Sequence, residues 1–160
     1  MFSGATSLNS TVGFAGNLLK VDDMSEMFKG ATSFNKDVAF TITNATNLRG
    51  MFEGATSFNS NVNIVTSNAT NMSRMFKNAT SFNKAISFGT SKVTNMSEMF
   101  YGATSFDQNL NGLQINAVTN MYDVLYNCGM SCQNLSTTLD RWKTQAAALN
   151  KNNINLGNTL

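Results

Sequence analysis

Apolar residues recur along this chain with the spacing of a helical face. Val93, Met96, Met99, Phe100 and Ala103 lie at i, i+3, i+6, i+7 and i+10. One side of an α-helix or 3₁₀-helix has this period. The pattern predicts a helix of about two turns or fewer in each copy of the segment.

Polar residues mark both ends of this predicted helix. Asn95 is placed to cap its start, and Glu98, three residues later, completes a capping box. A residue that tolerates a left-handed backbone follows each copy and predicts its end. These residues are Gly30, Gly54, Asn78 and Gly102.

A second pattern, with a period of two, follows each predicted helix. Val38, Phe40 and Ile42 alternate with their neighbours, and the segments around Val62 and Ile86 do the same. Alternation of this kind predicts a short strand with one face inward.

The two patterns sit inside one repeated phrase, which reads MFKGATSFN at residues 27–35. Copies begin at 1, 27, 51, 75 and 99, so the steps are 26, 24, 24 and 24 residues, and a fainter sixth copy begins at about 124. A fixed period in the twenties is typical of a solenoid. The sequence therefore predicts an α/β solenoid with coils of about 24 residues, each a short helix and a short strand, with a parallel sheet on one face.

The phrase ends near residue 131, and a different pattern follows. Residues 1–131 are expected to hold five to six repeats, and residues 132–160 to form a C-terminal cap. Leu139, Trp142, Ala146 and Leu149 share a helical stripe, which predicts a helix over about 136–149 with Ser136 as its N-cap. A final strand is predicted at about 153–157.

One Asn or Asp closes each phrase, and stacking of the repeats would align these residues. We expect a structural polar ladder formed by Asn9, Asn35, Asn59, Asn83 and Asp107.

The positions that differ between copies are the candidates for recognition, because exposed positions on a fixed scaffold suit a binding surface. They comprise the outward residues of the predicted strands and the residue after one Met-Phe pair. The candidate binding residues are Asp37, Thr41, Asn61, Asn63, Ser87, Asn109, Asn111 and Tyr101.

Composition removes several classes of function. The net charge is +2 and charged residues make up 12% of the chain, which argues against nucleic-acid partners. The chain has no histidine, so Ser-His-Asp and Cys-His catalysis and most zinc sites are excluded. We predict no enzyme, no cofactor, no metal and no membrane span in this segment. Met1 already lies inside a repeat, which favours a fragment or a processed form.

Cys128 and Cys132 allow two interpretations. Cys128 aligns with the Ala of the other copies, which predicts a small buried side chain. A local Cys128–Cys132 disulfide is the alternative, and it would suit an oxidising exterior.

The phrase M-F-x-G-A-T-S-F-N, followed by V-T-N-M-S-x-M-F, resembles the repeat of BspA-like leucine-rich-repeat surface proteins, a family also plentiful among mycoplasma-type surface lipoproteins. The C-terminal LSTTLDRW…NINLG is similar to the closing segment of many members. The resemblance implies a curved solenoid displayed at the cell surface that works by adhesion or binding. Family repeats usually carry a Trp in the strand region, where this chain has Thr41, Val65 and Gly89.

Three functions follow as hypotheses. The first is an extracellular module that binds a protein or a glycan through its solenoid face. The second is a structural protein whose copies assemble through their coil edges into a filament or surface layer. The third is ice binding by the Thr row formed by Thr6, Thr32, Thr56, Thr80 and Thr104.

Overall fold

A computed structural model of the chain describes residues 1–13, 21–40 and 43–148, and for Phe40 the backbone alone. Within these residues the elements are β1 (Val38–Phe40), β2 (Val62–Ile64) and α1 (Cys132–Ala148). Strands β1 and β2 are parallel, with Val38 opposite Val62. The predicted strand at about 153–157 lies outside the described residues.

Successive copies of the repeat are joined by backbone hydrogen bonds at equivalent positions. The amide of Phe52 donates to the carbonyl oxygen of Met75 (2.9 Å), and the amide of Phe76 donates to that of Met99 (2.9 Å). Alternate residues of the segment repeat this bond. Isolated parallel bridges keep the same register and join Asp23, Asn47, Asn71, Asn95 and Asn120.

The segment predicted to be a short helix is a run of turns instead. In the copy at 96–102, Glu98 and Gly102 have φ of 55° and 67°. A left-handed residue at every fourth position interrupts an α-helix. The amide of Tyr101 closes a turn on the carbonyl of Glu98 (3.2 Å), while the amide of Phe100 reaches Val124 of the next copy (3.0 Å).

The predicted capping box is also replaced. The side-chain oxygen of Asn95 accepts from the amide of Ser97, two residues on (2.9 Å). The carboxylate of Glu98 points to cations of the preceding copy, at Arg74 and Lys77. Asn95 therefore stabilises a local turn, and Glu98 binds the neighbouring repeat.

The alternation at 86–88 predicts a third strand, but these residues form none. The buried hydroxyl of Thr66 takes the place of a backbone acceptor, because the amide of Gly89 donates to it (2.8 Å). Thr90 does the same for the following copy, where its hydroxyl accepts from the amide of Gln114 (2.7 Å). Side-chain hydroxyls thus interrupt the backbone ladder.

The interior contains two columns of stacked phenylalanine rings. In the first column the centroids of Phe52 and Phe76 are 5.5 Å apart, and in the second those of Phe58 and Phe82 are 5.7 Å apart. The columns touch within each repeat, at 4.3 Å between Phe52 and Phe58. Among the described residues, the fully buried Phe side chains are Phe28, Phe34, Phe52, Phe58, Phe76, Phe82, Phe100 and Phe106.

Helix α1 satisfies backbone groups that another repeat would otherwise bind. The hydroxyl of Thr138 accepts from the amide of Leu110 (3.0 Å). The Gln145 side chain accepts from the amide of Ile115 (2.8 Å) and donates to the carbonyl of Leu113 (3.1 Å). The indole of Trp142 is buried on the same helix.

The start of α1 differs from the prediction. The helix begins at Cys132 rather than at about 136, so Ser136 lies inside it. Ser131 is the residue that caps it, because its carbonyl accepts from Leu135 (2.9 Å) and its hydroxyl from the amide of Asn134 (3.5 Å). Leu149, the last residue of the predicted stripe, lies outside the described residues.

Gly129 lies where the last repeat turns towards α1, and we expect Gly129→Ala to be strongly destabilising. An added Cβ would overlap the carbonyl oxygen of Thr104 and lie 3.2 Å from the amide nitrogen of Phe106. Both neighbours are backbone atoms, so the loss should be about 3 kcal/mol or more of unfolding free energy. Urea unfolding measures it.

Gly112→Ala is the matched control for this substitution. An added Cβ there meets nothing within 4 Å. Its effect should stay within about 1 kcal/mol, on the stabilising side. Equal losses at the two glycines would contradict the packing described for Gly129.

We also expect Thr138→Val to cost about 1–3 kcal/mol, because it leaves the buried amide of Leu110 without an acceptor. Thr137→Val is the control, since among the described residues its hydroxyl bonds only to carbonyls of its own helix, at Gln133 and Asn134. Its change should be within about 0.5 kcal/mol. Similar urea midpoints for the two variants would show that α1 does not replace a repeat in this way.

Candidate functional site

The structure places the five residues of the expected polar ladder in one hydrogen-bonded column. The side-chain oxygen of Asn9 accepts from the amide of Asn35 (3.1 Å), and that of Asn35 accepts from the amide of Asn59 (2.9 Å). The same bond joins Asn59 to Asn83 and Asn83 to Asp107, both at 2.9 Å. Each side chain therefore binds the neighbouring repeat, and its acceptor oxygen is already used.

Asp107 ends this column at the start of α1. Its Oδ1 accepts from the amide of Ser131, the hydroxyl of Ser131 and the side-chain amide of Asn134, each at 2.8 Å. Chiefly the backbone amide of Ser131, and then the two side chains, hold the pKa of the Asp107 carboxyl below its usual range. The carboxylate fastens the helix to the last full repeat.

The outward strand residues that were predicted to bind a ligand lie on an exposed, polar surface. Asp37 and Asn61 are bound to each other, since Asp37 Oδ1 accepts from the amide of Asn61 (2.8 Å). The remaining members that the structure describes are Asn63, Ser87, Asn109 and Asn111, all exposed. Thr41 lies outside the described residues.

The Thr row is tied to the scaffold. The hydroxyl of Thr32 donates to the carbonyl of Thr6 (3.4 Å), and Thr56 donates to that of Thr32 (3.5 Å). Thr80 and Thr104 continue the series at 3.4 and 3.5 Å. These hydroxyl groups therefore each contact a backbone carbonyl of the preceding copy.

A different set of positions forms what we call the variable face. It consists of the two residues before each Met-Phe pair, or its equivalent, and the residue after it. Ion pairs show that the three positions lie together, because Arg49 Nη1 and Lys29 Nζ lie 2.7 and 3.1 Å from the same Glu26 oxygen. The members from the second to the last copy are Ser25, Glu26, Lys29, Arg49, Gly50, Glu53, Ser73, Arg74, Lys77, Ser97, Glu98, Tyr101, Tyr122, Asp123 and Tyr126.

Charges on the variable face are paired between repeats. Glu98 is 3.0 Å from Arg74 and also contacts Lys77. Burial alone would raise the pKa of the Glu98 carboxyl, but hydrogen bonds from Lys77 and Arg74 outweigh it and the net shift is downward. Lys29 and Arg49 lower the pKa of Glu26 in the same way.

Aromatic residues replace the charges at the C-terminal end of the variable face. Tyr101 is half-buried between the ammonium group of Lys77, 4.6 Å from its ring centroid, and the ring of Tyr126, 5.1 Å away. Tyr122 and Tyr126 are exposed. The contacts described for Tyr101 join it to the variable face and not to the strand residues with which it was grouped.

Tyr126 was not among the predicted site residues. Its signal is present in the sequence, because aligning the degenerate sixth copy places it in the position of Lys29, Glu53, Lys77 and Tyr101. The substitution of Met-Phe by Val124-Leu125 obscures that alignment.

Cys128 and Cys132 are both free thiols, so the structure does not contain the alternative Cys128–Cys132 disulfide. Cys128 occupies the place of the repeat Ala: its amide bonds to Leu125 (3.3 Å) as that of Ala103 bonds to Phe100 (3.0 Å). Burial raises the pKa of the Cys128 thiol.

Among the described residues, no three or more Cys, Asp or Glu side chains are grouped as metal ligands would be. No helix in the same part of the chain has the length and apolar character needed to cross a bilayer.

The chain is thus a repeat protein whose copies share an interior and differ on one face. A family model described as "Mycoplasma protein of unknown function, DUF285" matches residues 1–83 and 63–156. These matches span most of the chain, and the chain belongs to this family. Neither a curated protein nor a solved structure matches it.

The Asp107 contacts predict a loss of stability in acid. Because the folded-state pKa is lowered, the stabilisation is present above the unfolded pKa of about 3.9 and is lost as pH falls through the folded value. Asp107→Asn keeps an acceptor oxygen but does not titrate. Between pH 7 and pH 3, the urea midpoint should fall less in Asp107→Asn than in the wild type.

Asp140→Asn serves as the control for this comparison, because no hydrogen bond of the Asp140 side chain is found among the described residues. It should follow the wild-type pH dependence. A parallel fall in all three proteins would contradict the assignment to Asp107.

Proposed function

We propose that this protein is a non-enzymatic binding module displayed outside the cell, and that its fold is an α/β solenoid of leucine-rich-repeat type. The observation that carries the proposal is the contrast between interior and surface. Interior positions hold the same Met, Phe and Ala from copy to copy, whereas the variable face changes from paired charges to tyrosines. A constant scaffold with one changing face suits recognition.

The firmness of the scaffold supports this proposal. Each repeat is fixed to the next by backbone hydrogen bonds, by the Asn ladder and by stacked rings, such as Phe76 and Phe100 with centroids 5.6 Å apart. Side chains on such a surface are largely ordered before a partner arrives. A preorganised surface loses less conformational entropy on binding.

The state of the carboxylates also favours binding over catalysis. Asp23, Glu26, Glu98 and Asp107 all have lowered pKa values, and all accept hydrogen bonds within the scaffold. A general acid that works near neutral pH needs a raised carboxyl pKa. We therefore assign these four carboxylates a structural role, in which they stabilise turns and contacts between repeats.

The resemblance of the repeat to that of BspA-like leucine-rich-repeat surface proteins supports display at the cell surface and a role in adhesion. It rests on the repeated phrase M-F-x-G-A-T-S-F-N and on the closing segment LSTTLDRW. The low charge content, 12%, argues for a partner recognised by shape and neutral polar contacts rather than by a large electrostatic field.

The test is a binding screen with the folded chain immobilised and the urea-unfolded chain as control. Neutral and acidic glycans and purified extracellular-matrix proteins are passed over both surfaces, and light scattering records the molar mass of the free protein across a concentration series. We expect saturable binding of at least one component to the folded chain alone, and a constant monomer mass.

Two outcomes would contradict the proposal. Absence of any saturable binding would remove the module function. A molar mass that grows with concentration, together with no binding, would instead support self-assembly through the coil edges.

A further inference from the structure

All three tyrosines of the protein lie on the variable face, at its C-terminal end. We call Tyr101, Tyr122 and Tyr126 the tyrosine patch. Tyr122 is 43% exposed and Tyr126 is 39% exposed. Among the described residues the other exposed large apolar side chains are Met1 and Val65, so the patch brings two of the four together. Exposed aromatic side chains are enriched at binding sites.

The rings of the patch are held in place. Tyr101 and Tyr126 stack with centroids 5.1 Å apart and an interplanar angle of 25°. Lys77 lies over Tyr101 at 4.6 Å and is itself paired with Glu98. The row Lys77, Tyr101, Tyr126 therefore runs across three successive copies, and its order does not depend on a ligand.

Tyr122 flanks this row on the same face. Tyr122 occupies the position in its copy that Arg49 occupies in an earlier copy. Arg49 contacts the carboxylate of Glu26, which is also paired with Lys29. By the same register, Tyr122 lies beside Glu98 of the preceding copy, next to Tyr101. The exposed rings of Tyr122 and Tyr126 therefore both lie near Tyr101.

The charge distribution selects the kind of ligand. The described cations next to the patch, Arg74 and Lys77, share one carboxylate, that of Glu98, as their ion-pair partner. The exposed members of the patch, Tyr122 and Tyr126, present apolar ring faces and phenol hydroxyl groups to solvent. A ligand that matches the patch is neutral, carries C–H groups on one face for the negative face of an aromatic ring, and carries hydroxyl groups at its edge.

We propose that the tyrosine patch is a binding site for a neutral oligosaccharide, with a pyranose ring stacked on Tyr122 or Tyr126 and its hydroxyl groups bonded to the phenol oxygens. This inference rests on the proposed binding function and assigns it a ligand class and a place. A fully apolar partner would leave the phenol hydroxyls unpaired, and an acidic one would meet Lys77 and Arg74 already paired.

The experiment uses the chain with ¹³C-labelled tyrosine, which gives three sets of ring signals because the chain has three tyrosines. Chitohexaose, maltohexaose and mannohexaose are titrated separately, and calorimetry measures each affinity. The ring signals of Tyr122 and Tyr126 should shift with at least one of them.

Variants separate the patch from the rest of the surface. Tyr122→Ala or Tyr126→Ala should weaken that affinity about tenfold or more. Tyr126→Phe keeps the ring and should lose less. Val65→Ala is the matched control, because Val65 is similarly exposed at 41% and lies outside the patch, and its affinity should be unchanged. Unchanged melting temperatures verify that each variant is folded.

The remaining outcomes overturn the inference. A hexasaccharide that binds equally well to both Ala variants places the site elsewhere and leaves the binding function intact. Binding of matrix proteins or acidic glycans without any of the three neutral probes refutes the ligand class but not the module. Failure of all components in both screens removes the patch and the proposed function together.

Discussion

The backbone hydrogen bond between equivalent positions of successive repeats is the constraint on which the rest of this structure depends. In each copy, alternate amides such as those of Phe52 and Gly54 donate to the next copy, and the intervening ones close tight turns. No copy satisfies its own backbone, and a buried unpaired amide is costly. Equivalent positions of successive copies must therefore stack. The phenylalanine columns, the Asn ladder and the ion pairs of the variable face are consequences of this register, and α1 ends it by replacing backbone partners with Thr138 and Gln145.

Interior positions were easier to predict than backbone conformation. The stripe of Val93, Met96, Met99, Phe100 and Ala103 is fully buried, although no helix is formed there. Turns that close three residues back bring the same residues to one side as a short helix does, so the period alone does not separate them. Gly50 is the residue in the sequence that indicates a left-handed turn rather than a helix. Its column is left-handed in every described copy from the second onward, even where the residue is Glu26, Arg74, Glu98 or Asp123.

The candidate site was predictable only in part, for a related reason. Alternation placed Asn63, Ser87 and Asn111 outward, but it says nothing about which exposed residues meet across repeats. Tyr101 was singled out from the repeated phrase, whereas Tyr126 lies in a copy whose Met-Phe pair has become Val-Leu. The start of α1 was not predicted because Ser131, its N-cap, is held by a hydrogen bond from its amide to the carboxylate of Asp107, one repeat earlier. Contacts between copies carry this information, and local spacing does not.

In a stack of mutually dependent repeats with one changing face, the surface can vary without loss of the interior, and the proposed binding function uses this property. The register of the backbone hydrogen bonds between copies is the central structural feature. NMR scalar couplings across hydrogen bonds test this register directly, and the amide of Phe52 is a suitable probe. We predict a coupling from this amide nitrogen to the carbonyl carbon of Met75, whose oxygen lies 2.9 Å away. A coupling to the carbonyl of Leu48, four residues back as in an α-helix, would contradict it.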